Sequence, residues 1–133
     1  MDLQKKQFKI DYLGRPLSLE MSVLAGQANA AVIGHYGGTT VLVTVVMGNE
    51  DRAIDYFPLI VDYESRFYAA GKILGSRFVR REGRPSESAV LSGRLIDRTL
   101  RPRFNHNIRN EVQVVATVLS FDGINDPDMI ALF

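Results

Sequence analysis

The chain has 133 residues, of which 46% are hydrophobic, and a formal net charge of +1, which suits one domain with its own core. The absence of cysteine excludes a disulfide framework and a thiolate metal site, and it is consistent with a reducing compartment. No apolar run has the length of a signal-peptide core or a membrane span, so we expect a cytoplasmic protein without a membrane partner.

Strand patterns fill the first half of the chain. Short stretches alternate apolar and polar side chains, or consist of small and β-branched apolar residues, and turn residues separate them. Pro58 confines the start of the last of these strands to the edge or the end of a sheet. The glycine-rich turn at 34–38 lacks the lysine of a nucleotide-binding P-loop, so it is interpreted as a hairpin turn. The predicted strands, which form a mostly antiparallel sheet, cover residues 8–12, 17–23, 28–33, 41–47 and 57–63.

The hydrophobic period changes after Pro85. Apolar residues then recur at steps of four, which predicts a helix over 86–101 with one stripe packed on a core. Ser86 suits the start of this helix, and Pro102 ends it. The predicted core stripe contains Leu91, Leu95 and Thr99, with Ile96 and Leu100 beside it.

Charged residues on the predicted helix are spaced one turn apart. Asp97 and Arg101 are spaced to form an ion pair, whereas Arg94 and Arg98 are spaced to repel each other. This repulsion makes sense only if an anion or a carboxylate from elsewhere shares the two arginines.

The last part of the chain predicts a central strand and a second helix. The strand is expected over 111–120, after a polar loop. Asp126 is placed to cap a helix, and Pro127 suits its first position. Because the apolar run at 129–133 stops after about two turns, we expect this chain to be the front part of a longer protein. Strands, a helix, a strand and a helix together indicate the α+β class.

Arginine is concentrated between residues 77 and 103. This stretch holds eight arginines, no lysine and three acidic residues, a net charge of +5. Residues 71–83 lack periodicity and are predicted to form a loop, in which Arg80 and Arg81 can track a nucleic-acid backbone and Phe78 can stack on a base. Composition alone leaves three interpretations open: a single-stranded nucleic-acid site, a salt-bridged subunit interface and a solvated loop.

Metal ligands are not indicated by the sequence. His35 and His106 are isolated from other ligand types, so we interpret both as structural or solvated. The aspartates at 122, 126 and 128 lack the spacing and the terminal glutamate of a calcium-binding loop. A turn and a helix cap explain these aspartates better.

Five motifs occur in an order that resembles the polynucleotide phosphorylase family. They are Tyr68-Ala-Ala-Gly-Lys-Ile73, Phe78-Val-Arg-Arg-Glu-Gly-Arg-Pro-Ser-Glu87, Arg94-Leu-Ile-Asp-Arg98, Asn110-Glu-Val-Gln-Val-Val-Ala-Thr-Val118 and Asp122-Gly-Ile-Asn-Asp-Pro-Asp128. The resemblance covers the chain from about residue 8 to its end. It implies the N-terminal part of the first of two RNase PH-like core domains, with the ribosomal protein S5 domain 2-like fold.

The resemblance also implies an activity. It implies a phosphorolytic exoribonuclease, a homotrimer that degrades single-stranded RNA from the 3′ end to nucleoside diphosphates alongside other RNA-degradation proteins. Inorganic phosphate is then the co-substrate, and the catalytic and Mg²⁺-binding carboxylates belong to a second core domain outside residues 1–133. This chain, without that domain and without accessory RNA-binding domains, is expected to be inactive alone.

The RNA-binding residues are implied by the same resemblance. Phe78, Arg80 and Arg81 match a Phe-Phe-Arg-Arg loop that grips RNA in the family's channel. Val79 departs from the second phenylalanine, and the stretch 72–80 is one residue longer than usual. We therefore expect backbone contacts from the two arginines, with stacking retained at Phe78 alone.

A related enzyme, RNase PH, bears on Arg84. Gly83-Arg84 resembles the Gly-Arg that binds phosphate there, but the turn that would complete the site holds three aspartates in this chain. Their charges would repel phosphate, so Arg84 is predicted to be a structural or RNA-contacting residue. A non-catalytic RNA-binding or assembly module remains an alternative. A stand-alone RNase PH-type tRNA-processing enzyme is disfavoured by the acidic turn.

Overall fold

Six strands form one mixed sheet in the structure, a computed structural model that describes residues 6–21, 25–73, 75 and 83–133. The spatial order of the strands is β1-β2-β3-β4-β6-β5. All neighbouring strands are antiparallel except β5 and β6, which are parallel. The strands are β1 (Lys6–Tyr12), β2 (Arg15–Met21), β3 (Ala30–Tyr36), β4 (Thr39–Asp51), β5 (Leu59–Glu64) and β6 (Asn110–Ser120).

Two α-helices and two 3-10 helices complete the described chain. They are α1 (Glu87–Leu100), α2 (Pro127–Leu132) and the 3-10 helices Phe67–Ala70 and Arg101–Arg103. The predicted α+β class and mostly antiparallel sheet are therefore confirmed. Among the described residues, no helix has the length and apolar character needed to cross a membrane.

The predicted strands are present with shifted bounds, of which the largest is at β4, which runs on to Asp51, and residues 22 and 23 of the predicted second strand lie outside the described residues. The first hairpin, the central position of β6 and the placing of Pro58 just before an edge strand all agree with expectation. The turn predicted over 34–38 is shorter, because His35 and Tyr36 pair with Thr40 and Thr39 and so extend β3. Two glycines, at 37 and 38, then form the turn.

The main core lies between one face of the sheet and the two helices. Gly34 of β3 shows how close α2 comes, because a Cβ atom added there would lie 2.6 Å from Cγ2 of Ile130. Capping fixes the start of α2 as predicted, since Oδ1 of Asp126 accepts the backbone N–H of Asp128 at 3.0 Å. The buried residues of this cluster are Leu17, Val41, Tyr63, Ala69, Ala89, Ile96, Ala116, Val118, Ile130 and Ala131.

The buried stripe of α1 differs from the predicted one. Ala89, Gly93 and Ile96 are buried, whereas Leu91 is 63% exposed and Leu95 is 48% exposed. The prediction that Leu91, Leu95 and Thr99 face the core was therefore wrong. Ile96 and Leu100, which were predicted beside them, do pack on the core, and the helix itself is confirmed.

Small side chains explain this orientation of α1. A Cβ atom at Gly93 would lie only 3.4 Å from the carbonyl oxygen of Val61 in β5. A leucine at that contact would push the helix off the sheet. The glycine and alanine face therefore packs on the strand, and the larger leucines point outward.

Arg101 joins α1 to the start of β5. Its guanidinium is paired with Asp97 at 2.6 Å, as the spacing predicts. It also donates to the carbonyl oxygens of Phe57 and Leu59, each at 3.2 Å. This arginine is thus part of the fold and is occupied by protein acceptors.

The orientation of α1 can be tested by truncating one side chain on each face. Ile96→Ala removes a side chain that is 1% exposed, so we expect the free energy of unfolding to fall by about 2–5 kcal/mol. Leu91→Ala, the control on the outer face, should change it by about 0.5 kcal/mol or less. Urea denaturation measures both values. A larger loss for Leu91→Ala would mean that the helix is rotated.

Candidate nucleic-acid interface

The predicted RNA-binding residues fall into two groups in the structure. Phe78, Arg80 and Arg81 lie outside the described residues, so their predicted roles stay predictions. Arg84 is described, and it is exposed just before the N-cap of α1. Ser86 forms that cap, because its Oγ accepts the backbone N–H of Ala89 at 3.2 Å.

Arg84 borders a cavity of about 320 Å³ between the end of β5 and the start of α1. On the wall of the cavity, Arg66 is paired with Glu64 at 3.1 Å. Within the part of the chain that the structure describes, Arg84 has no ion pair or hydrogen bond, so its guanidinium is available to an anionic partner. The other lining residues are Tyr63, Ser65, Phe67, Gly83, Pro85, Ser86 and Ala89.

The acidic turn predicted to repel phosphate is held mainly by Asp122. Its carboxylate accepts the backbone N–H groups of Asn125 and Ile124 at 2.8 and 2.9 Å. It also accepts the backbone N–H of Gly38 and the hydroxyl of Thr39, each at 3.0 Å. Asp122 therefore ties the loop after β6 to the turn between β3 and β4.

Asp122 can reach the turn between β3 and β4 because residue 38 is a glycine, which lets the aspartate side chain approach the backbone closely. A Cβ atom there would lie 2.9 Å from Cβ of Asp122, which no side chain could occupy without a shift. The hydroxyl of the fully buried Thr39 lies 3.0 Å from the carbonyl oxygen of Asn125 as well, so its one proton is shared between two acceptors. The glycines predicted only as a turn thus also make room for the loop after β6.

The hydrogen bonds to Asp122 also set its ionisation. The backbone N–H of Asn125, followed by that of Ile124, holds the pKa of this carboxyl well below its usual range. The carboxylate is therefore charged at neutral pH but occupied by protein donors. It lines neither the cavity beside Arg84 nor the one described next.

A second cavity, of about 340 Å³, lies between the 3-10 helix Phe67–Ala70, α1 and the start of α2. Asp128 lines it and accepts a hydrogen bond from the hydroxyl of Ser92 at 2.5 Å. Burial raises the pKa of the Tyr63 phenol, and its hydrogen bond to Asp128 raises that pKa further. One carboxylate of the acidic turn, and only one of the three, thus faces this cavity.

The cluster of Tyr63, Ser92 and Asp128 was not predicted. Its members come from β5, α1 and α2, and no local spacing in the sequence connects them. The predicted repulsion of phosphate by the acidic turn stays a prediction. Within the fold, Asp122 and Asp126 serve as a loop tie and a helix cap.

The donors described do not fit a Mg²⁺ site. Each of the three aspartates already accepts hydrogen bonds from protein donors, and no group of three or more metal-binding side chains occurs within residues 6–21, 25–73 and 83–133. The two histidines have protein partners, as expected. Nδ1 of His35 lies 3.0 Å from the hydroxyl of Thr40, and Nε2 of His106 lies 3.1 Å from the carbonyl oxygen of Arg101.

Comparison with known proteins points to RNA-degrading enzymes. The 3′ exoribonuclease family, domain 1, matches residues 14–133. Polyribonucleotide nucleotidyltransferase of Anoxybacillus flavithermus is 53% identical over the whole chain, which covers 19% of that protein. The same enzyme of Desulforamulus reducens is 58% identical over 90% of the chain, which covers 16% of it. The chain therefore spans less than a fifth of the length of these relatives.

Solved structures support the fold. Rice Rrp46 aligns with 96% of this chain and 50% of its own at a TM-score of 0.58, with 13% identity. A chain of the Archaeoglobus fulgidus exosome, solved with RNA bound to its active site, aligns with 96% of this chain and 47% of its own at the same TM-score, with 20% identity. The predicted RNase PH-like fold is thereby confirmed.

The loop tie at Asp122 predicts a pH-dependent contribution to stability. Because the folded-state pKa is lowered, the ionised carboxylate stabilises the fold above about pH 4, and the stabilisation is lost as the pH falls through the folded pKa. Asp122→Asn should therefore lower the unfolding midpoint at pH 7, by an amount that shrinks on acidification.

Asp126→Asn is the matched control for this substitution. Asparagine caps helices about as well as aspartate, so the midpoint should barely change at any pH. Thermal unfolding between pH 3 and pH 7 measures both variants. If Asp122→Asn lowers the unfolding midpoint by the same amount at every pH, the ionised carboxylate of Asp122 is not what stabilises the loop.

Proposed function

The chain belongs to the 3′ exoribonuclease family, domain 1, and from this membership we propose that it is part of a phosphorolytic 3′-to-5′ exoribonuclease. The proposed enzyme, a polyribonucleotide nucleotidyltransferase, degrades single-stranded RNA to nucleoside diphosphates with inorganic phosphate as co-substrate. Identities of 53% and 58% to enzymes of that name support the proposal. We further propose that it acts in the cytoplasm as a homotrimer, together with other RNA-degradation proteins.

The role proposed for this segment is to engage RNA. Arg84 supports it most directly, because its exposed guanidinium lies beside a cavity and follows residues 76–82 closely in the sequence. Those residues carry Phe78, Arg80 and Arg81, to which we assign contacts with the RNA backbone and one base. Arg101 in the same arginine-rich stretch is excluded from this role because it is bonded within the fold.

Catalysis is assigned to a part of the protein outside this segment. The carboxylate of Asp128 lines the cavity at the start of α1 that Ser88 and Ser92 also border. A phosphate entering there would meet this negative charge at short range. The carboxylates of Asp122 and Asp126 already accept hydrogen bonds from the protein backbone. Both observations support placing the phosphorolytic centre and its Mg²⁺ in a second core domain.

Phosphate-dependent product release tests the assignment of catalysis. The 133-residue chain, incubated with single-stranded RNA, Mg²⁺ and inorganic phosphate, should release no nucleoside diphosphate, whereas the complete gene product should release it and should stop when phosphate is omitted. Chromatography of the released nucleotides makes the measurement. Release by the 133-residue chain would overturn the assignment, and the absence of release by the complete protein would overturn the activity itself.

RNA binding tests the arginine loop. Arg80→Ala with Arg81→Ala should weaken binding of a labelled single-stranded RNA and reduce the slope of log affinity against log salt by about 0.7 for each phosphate that is no longer neutralised. Lys9→Ala with Arg15→Ala removes the same charge from the β1–β2 hairpin and should leave the slope unchanged. Fluorescence anisotropy across a salt series measures both. Equal slopes in the two double variants would exclude the loop as the contact.

A further inference from the structure

The outer face of α1 carries two unpaired arginines beside two exposed leucines. Leu91 and Leu95 are 63% and 48% exposed, and Arg94 and Arg98 are exposed as well. In the described part of the chain, neither of these guanidinium groups forms an ion pair or a hydrogen bond. We call these four residues the outer face of α1.

These four residues form two parallel rows along the helix. Leu91 and Leu95 are separated by one turn, and so are Arg94 and Arg98, which places the members of each row about 6 Å apart along the axis. The rows adjoin because the leucines and the arginines differ by three residues in position. The face thus offers an apolar ridge with a cationic ridge beside it.

The cationic ridge costs free energy as long as it is unpaired. Two like charges one turn apart repel each other and destabilise a helix. Asp97 cannot relieve the repulsion, because its carboxylate is bonded to Arg101 through both oxygens. A carboxylate supplied from outside the described fold would relieve it.

We propose that the outer face of α1 docks an amphipathic helix of a partner protein that carries a row of carboxylates beside a row of aliphatic side chains. The carboxylates would pair with Arg94 and Arg98, and the aliphatic row would cover Leu91 and Leu95. Such a contact uses charge complementarity to fix the register of the helix and apolar contact to hold it. None of these four residues is among the RNA-engaging residues proposed above.

The composition of the face favours protein carboxylates over RNA phosphates. Single-stranded RNA is held by cations interleaved with aromatic rings, and the outer face has leucines in their place. Leucine beside arginine is instead suited to a protein helix, whose aliphatic side chains need an apolar surface.

Charge reversal across the contact tests the proposal. The probe is a synthetic helical peptide of about 18 residues with leucines one turn apart and glutamates one turn apart in the adjoining row. It should bind the unaltered chain at least about tenfold more tightly than the same peptide with lysines at the glutamate positions. Arg94→Glu with Arg98→Glu should invert this preference, as measured by fluorescence anisotropy of the labelled peptides.

Matched variants separate the possible outcomes. Lys9→Glu with Arg15→Glu makes the same change in net charge on the β1–β2 hairpin and should leave the peptide preference unaltered. Leu91→Ser should weaken the glutamate peptide without affecting the unfolding midpoint. Equal binding of the two peptides, or no inversion in the charge-reversed chain, would overturn the proposal. It would also be overturned if charge reversal on α1 weakened single-stranded RNA binding more than the hairpin control did, since the face would then be an RNA contact.

Discussion

The close packing of α1 on β5 determines how the arginine-rich stretch is used. Gly93 and Ala89 let the helix approach the strand backbone, and Arg101 fastens the end of the helix to the carbonyl groups at the start of the strand. A bulkier contact face would tilt or rotate the helix and would move Arg84, Arg94 and Arg98 with it. The positions of the exposed cations thus follow from residues that carry no charge.

Local sequence patterns were sufficient for most of the framework. The hairpin of β1 and β2, the central strand β6, both helix starts and the Asp97–Arg101 pair depend on neighbours within a few residues, and all were predictable. The side of α1 that faces the core could not be predicted in this way. Periodicity favours the larger leucines, whereas the contact that decides the orientation is between Gly93 and a strand some thirty residues earlier. The cluster of Tyr63, Ser92 and Asp128 was hidden for the same reason, since its members meet only after folding.

The arginines of one stretch have separate roles because their surroundings differ. The guanidinium of Arg101 donates to oxygen acceptors of the protein itself and therefore stabilises the fold. Arg84 lies at the mouth of a cavity with no such acceptor among the described residues. Arg94 and Arg98 lie on an open helix face with leucines for neighbours. Composition shows only that positive charge is concentrated in this stretch. Whether an arginine can bind a ligand depends on whether protein acceptors already bind its guanidinium.

The parallel pairing of β5 with β6 has a consequence for how this protein can change in evolution. Parallel neighbours end on the same side of a sheet, so the segments that leave β5 and β6 emerge side by side although more than fifty residues separate them in the chain. The cavities beside Arg84 and Asp128 lie where these segments diverge. Because a crossover connection does not set the strand register, residues can be gained or lost in it while the sheet stays intact. The segment that follows β5 can therefore gain or lose residues, and with them side chains available to a ligand, while the core is unchanged.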